Sequence, residues 1–137
     1  MIVISYLILN SIAVIFGIKE AMLFERQGVE SFKWNFHKLF VIERALLILL
    51  LISGIFINLH DTLFISIAYL FSFSFFHNGA YGYTKLSIRN LKPTLKEGLV
   101  YVSDKDAAKN TYDFNSRLYM LLTSLIIIIV RLVINYY

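Results

Sequence analysis

The sequence predicts an all-α integral membrane protein. The expected architecture is a four-helix bundle with both termini outside and short amphipathic segments on the cytoplasmic side. Three observations lead there. Hydrophobic residues make up 58% of the chain and charged residues only 16%, against about 45–50% and about 25% in a soluble domain. The apolar residues gather into runs, each close to the roughly 20 residues that a bilayer crossing requires. Most Lys and Arg gather between those runs, and among the connections they occur in the longer ones alone. Crossings at about residues 2–24, 39–59, 62–84 and 117–137 use most of the 137 residues. Residues 1–137 are therefore read as one transmembrane domain, with no room for a large soluble one.

Span one begins as an apolar run from Ile2 to Ile18 and continues past Lys19-Glu20 into Ala21-Met22-Leu23-Phe24. No basic segment precedes it and no small-residue cleavage site follows, so it reads as a retained span and not a signal peptide. In the connection 25–38, Phe32, Phe36, Leu39 and Phe40 share a helical face beside Lys33, Lys38 and Trp34. That pattern suits an amphipathic segment at the lipid interface. Span two, 39–59, carries Glu43 and Arg44 near its start. A tight outer turn at 58–61 makes spans two and three an antiparallel hairpin. Span three, 62–84, includes the strand-like alternation Phe71-Ser72-Phe73-Ser74-Phe75. A lone strand in lipid would leave its backbone groups unpaired, so a helix is expected. In the connection 85–116, Lys92-Pro93-Thr94 marks a break. Ser103-Asp104-Lys105-Asp106 has the form of a helix cap. It predicts a helix from about Asp104 that runs unbroken into span four.

The charges set the orientation. With the span ends included, residues 19–38 hold Lys19, Arg26, Lys33 and Lys38; residues 84–117 hold Lys85, Arg89, Lys92, Lys96, Lys105, Lys109 and Arg117; the short turn holds neither Lys nor Arg. The positive-inside rule then assigns both long connections to the cytoplasm. The net charge of +4 is an orientation signal on this reading, and no nucleic-acid partner is expected. Trp34, Lys33, Lys38, Arg89 and Arg117 are the expected membrane-surface residues, with the bilayer and its anionic lipids as partners. There is no cysteine, which removes disulfides, thiolate metal sites and thiol nucleophiles.

Ionisable residues inside spans are costly, about 2.5–3.5 kcal/mol each at the bilayer centre on insertion scales, and they mark candidate sites. Counting about 1.5 Å of rise per residue brings Glu20, Glu43 with Arg44, and His77 with Asn78 and Tyr81 to the same leaflet. A shared polar pocket for proton or ion traffic is one reading; pairing or snorkelling at helix ends is the other. Glu and His can hold a divalent metal, but no helical ligand motif accompanies them, so no metal site, cofactor or catalytic residue is assigned. Arg131 in span four is the other buried-charge candidate. Its Cβ tilts away from the nearer interface, and Asn10, Asp61 or the carboxylate of Tyr137 lies within reach. Ser66, Ser72, Ser74, Gly79 and Gly82 line span three, as packing residues or as a polar pore face.

The stretch Phe76-His77-Asn78-Gly79-Ala80-Tyr81, with Lys19-Glu20 and Glu43-Arg44 before it and Arg89 and Arg117 after it, resembles small four-span membrane proteins of Bacteroidetes genomes and their phages. Gly82 and Lys96-Glu97-Gly98 depart from that pattern. The resemblance implies a bacterial inner membrane and a shared role for the His77 region, but no activity. The leading functional expectation is a non-enzymatic accessory subunit, forming a homo-oligomer or joining a larger membrane protein. The alternatives are an oligomeric channel or phage-type permeabiliser lined by span three, and an embedded ion-coupled or enzymatic device using Glu20, Glu43 and His77.

Overall fold

A computed structural model describes residues 2–28, 41–42, 44–45, 59–89, 91–101 and 113–135. Span two's interior, Trp34, Lys33, Lys38, Glu43, the Ser103–Asp106 cap and Tyr137 lie outside these residues. The described chain forms α1 (Ile2–Gln27), α2 (Leu59–Ile88), α3 (Leu95–Val100) and α4 (Phe114–Ile134), with no strand among the described residues. Val41, Ile42, Arg44 and Ala45 are helical as well. With 26, 30 and 21 residues, α1, α2 and α4 extend for about 39, 45 and 32 Å at 1.5 Å per residue. All three are long and apolar enough to cross a membrane.

α2 is the centre of the assembly: α1, α3 and α4 all pack on it, and α1 and α4 touch each other only lightly. α1 and α2 run parallel, since Asn10 meets Ser72, Glu20 meets His77 and Glu25 meets Arg89 in that order. α4 runs antiparallel to both, with Ser124 at Tyr6 and Arg131 at Asp61.

The core joins Ile2, Tyr6, Leu9 and Ala13 of α1 to Ile65, Ala68 and Tyr69 of α2 and Ile128 of α4. Close approach depends on small residues. A Cβ on Gly17 would collide with the His77 carbonyl oxygen of α2. A Cβ on Gly98 of α3 would lie 2.6 Å from Cβ of Tyr83, and one on Gly82 would lie 2.7 Å from Cβ of Tyr101. The first contact brings α1 onto α2 just where the His77 side chain lies. The others seat the short α3 against the basic end of α2.

Polarity in α4 is inverted relative to a soluble helix. Its buried positions are Arg117, Ser124, Ile128 and Arg131, spaced so that they fall on one helical stripe. Leu122, Leu125, Ile126, Ile129, Val130, Leu132 and Val133 are exposed. In water such a helix would hide its polar atoms and display its apolar ones, against the main driving force of folding. Hydrocarbon solvent reverses that preference.

The helix ends depart from the sequence expectations. Leu59, His60 and Asp61 belong to α2, so the expected outer turn at 58–61 is mostly helix. Asp61 stands in the first turn, where the helix dipole favours an acid, and this carries the helix beyond the apolar run. The expected unbroken helix from Asp104 into span four is also corrected. Asp113 is extended (φ −64°, ψ 168°) and caps α4, its side chain accepting from the Ser116 amide; the Ser116 side chain first and then this amide hold its carboxyl below the usual range. The break at Lys92-Pro93-Thr94 is followed at once by a helix with a capping box. The Glu97 amide donates to the Thr94 hydroxyl, and the Thr94 amide donates to the Glu97 carboxylate at 2.6 Å. That bond holds the Glu97 carboxyl below its ordinary value.

Candidate functional site

The buried polar side chains gather at three levels of the bundle. At the level of Gly17, α1 supplies Glu20, α2 supplies His77 and the 41–45 segment supplies Arg44. Glu20 and His77 are each 6% exposed. Glu20 forms an ion pair with Arg44, and its Oε2 lies 3.3 Å from His77 Nε2. An Arg44 Nη2 also reaches His77 Nε2 at 3.2 Å. On the other side of the ring, His77 Nδ1 meets Asn78 Oδ1 at 3.0 Å, and Asn78 Nδ2 donates to Ser74 Oγ at 3.1 Å. The Arg44 guanidinium sits 5.2 Å from the Phe16 ring centroid and 5.3 Å from that of Phe73. Phe73 stacks on the His77 ring at 4.7 Å. The aromatic walls exclude water, so the charges must satisfy one another. Arg44 Nε has no hydrogen-bond partner among the described residues.

Of the six residues expected in a shared pocket, Glu20, Arg44, His77 and Asn78 converge. Glu43 lies outside the described residues. Tyr81 turns away: its hydroxyl accepts from Lys85 Nζ at 3.3 Å. Among the described residues no three His, Asp or Glu side chains gather as metal ligands.

The middle level ties three helices together. Ser72 Oγ donates to Asn10 Oδ1 at 2.7 Å, while Asn10 Nδ2 donates back to the Tyr6 carbonyl at 2.9 Å. The Tyr6 hydroxyl pairs with Ser124 Oγ of α4 at 2.6 Å. Asn10 is therefore engaged with α2, and Arg131 has a different partner. At the far level, Arg131 Nε and Nη2 both reach Asp61 Oδ1 at 2.7 Å, with Phe64 5.6 Å from the guanidinium. Asp61 is the member of the three expected candidates that meets Arg131.

The basic end holds further contacts that sequence reasoning did not anticipate. Lys85 is 1% exposed. Its ammonium lies 3.7 Å from the Phe24 ring centroid and 5.3 Å from that of Tyr81, within cation–π range. The i, i+4 spacing of Tyr81 and Lys85 was the available signal. Arg117, expected at the membrane surface, is instead 1% exposed and donates to the Leu99 carbonyl at 3.1 Å. The reason is α3, whose last turn has carbonyls without intrahelical partners and lies over the start of α4. Arg89, the other surface candidate, remains half open and binds Glu25 at 2.8 Å.

No protein-family model, curated protein or solved structure matches the chain. The site is therefore read from its own geometry.

Proposed function

We propose that this protein is a non-enzymatic membrane subunit that acts through helix contacts and basic cytoplasmic connections. The proposal includes four spans, both termini outside, and a bacterial inner membrane. One observation carries it: the polar side chains at the three levels of the bundle are paired within the chain. Glu20 holds Arg44 and His77, Asn10 holds Ser72, Tyr6 holds Ser124, and Asp61 holds Arg131. Ser72 and Ser74, the residues that would line a pore in α2, are buried and hydrogen-bonded within the chain, which favours packing over a pore. Such a bundle has its chemistry turned inward and an apolar exterior available for lipid or another helix.

The test is extraction of the intact protein in a mild detergent or a lipid disc, followed by native mass spectrometry. A larger membrane partner or a defined homo-oligomer is expected. Recovery as a lone chain under several mild conditions would remove the accessory reading. Conductance of the purified protein across a planar bilayer would replace it with the channel reading.

A further inference from the structure

The three groups at the Glu20 level cannot all keep their contacts in every protonation state. A guanidinium has only donors. For Arg44 Nη2 to bind His77 Nε2 at 3.2 Å, that nitrogen must present its lone pair. His77 is then neutral, with its proton on Nδ1 and donated to Asn78 Oδ1. In this state the Glu20 Oε2 atom, 3.3 Å from Nε2, faces a lone pair and gains no hydrogen bond from it. A proton arriving at Nε2 reverses the arrangement. The new N–H points to an acceptor already in place, the Glu20 carboxylate, while Arg44 loses its acceptor on the ring and gains a like-charged neighbour.

We infer that the Glu20–His77 pair is a proton-binding site, and that Arg44 is the group with which the proton competes. The reaction is transfer of one proton from hydronium to the Nε2 lone pair: an O–H bond of hydronium breaks, an N–H bond forms, water leaves, and the Arg44 hydrogen bond to Nε2 is lost. Two cations then face one carboxylate in a buried, aromatic-walled site. His77 keeps Glu20 because both sit on the closely packed α1–α2 pair, locked by Gly17. Arg44 yields, and the 41–45 segment shifts away from α1 and α2.

The neighbouring charges fit this assignment. α1 presents Glu20, with Lys19 beyond it and directed at Phe16. The 41–45 segment presents Arg44. Along α2, Tyr69 presents its phenol near Arg44, while further toward the basic end Lys85 is engaged with Tyr81 and with Phe24. On α4, Arg117 and Arg131 are held by Leu99 and Asp61. Among the described residues, Glu20 is thus the acid facing the imidazole, and Arg44 the base competing for it.

Two measurements on the intact protein in lipid discs test the inference. The first is nitrogen NMR of histidine-labelled protein, with His77→Gln identifying the His77 signals. At high pH the Nδ1–H tautomer is expected, turning into the doubly protonated ring as pH falls. The second is the spin-label distance between Ile42→Cys and Leu70→Cys. Both positions are exposed, at 53% and 70%, and the chain has no native cysteine. The distance distribution is expected to change with the same midpoint as the His77 titration. Arg44→Gln raises that midpoint and Glu20→Gln lowers it, each by about one pH unit, a tenfold change in proton affinity. A ring that keeps one protonation state between about pH 4 and 9, on either side of the ordinary imidazole value, overturns the proton site. A ring that titrates while the distance stays constant overturns the competition with Arg44. Titration and distance are read on the native sequence apart from the labels, and should His77→Gln fail to fold, His37→Gln and His60→Gln assign the His77 signals by elimination among the three histidines.

Discussion

Single side chains carry much of this bundle's specificity, because the helices are joined at named polar pairs: Asn10 with Ser72, Tyr6 with Ser124 and Asp61 with Arg131. The Asp61–Arg131 pair is the clearest case. Removing one partner leaves the other charge without its counterion, at a cost of about 1–3 kcal/mol for a charge-assisted contact that is partly open to solvent. Asp61→Leu and Arg131→Leu should each lower unfolding stability by that amount in detergent. The double variant should recover most of the loss, as a double-mutant cycle would show. Equal losses that simply add would mean the pair is not an interaction. At this scale the sequence was legible where depth alone decides: a constant rise per residue was enough to bring Glu20, Arg44 and His77 to one level. It was illegible where a partner sits on an unanticipated element. Arg117 looked like a surface cation because the short helix whose carbonyl it binds was not foreseen.

The three helices long and apolar enough to cross a membrane could be read from their apolar runs, since hydrocarbon would leave no other economical backbone. Their ends could not, because caps and short helices depend on local polar geometry. Thr94 and Glu97 have the capping-box spacing, but the adjacent proline drew attention to the break and away from the helix that follows it. That box gives a pH dependence. The Glu97 carboxyl is held below its ordinary value by its Thr94 contacts, so the folded cap binds protons more weakly than the unfolded chain. Its contribution is fully present above the ordinary glutamate value and is lost as pH falls through the lower folded value. Hydrogen exchange at the Glu97 and Gly98 amides should accelerate over that acidic window, and Glu97→Gln should remove the acceleration. A second test concerns α1 on α2. Gly17→Leu should force the helices apart and destabilise the bundle by about 1–3 kcal/mol, the usual range for overpacking. It should also disturb the His77 signals, since the clash is with the His77 carbonyl. Unchanged His77 spectra would mean that the close contact does not position the ring.

For the molecule as a whole, the proposed orientation is open to a direct test. With no native cysteine, single cysteines at Lys92 and Asn135 can be labelled without background by a reagent that cannot cross the membrane. In intact cells position 135 should react and position 92 should not; inside-out vesicles should reverse the pattern. Reaction of both from the same side would end the proposed topology. The arrangement of α4 has a further, mechanical consequence. It is fastened at residues 124 and 131, two turns and about 10 Å apart along its axis, to Tyr6 of one neighbour and Asp61 of another. Two pins at different heights prevent a piston stroke. Sliding by a single turn, about 5.4 Å, would pull both free together and leave Asp61 without its counterion. A shift of α4 along its axis therefore has to break the Tyr6–Ser124 and Asp61–Arg131 contacts at once, whereas a small tilt can keep one while loosening the other.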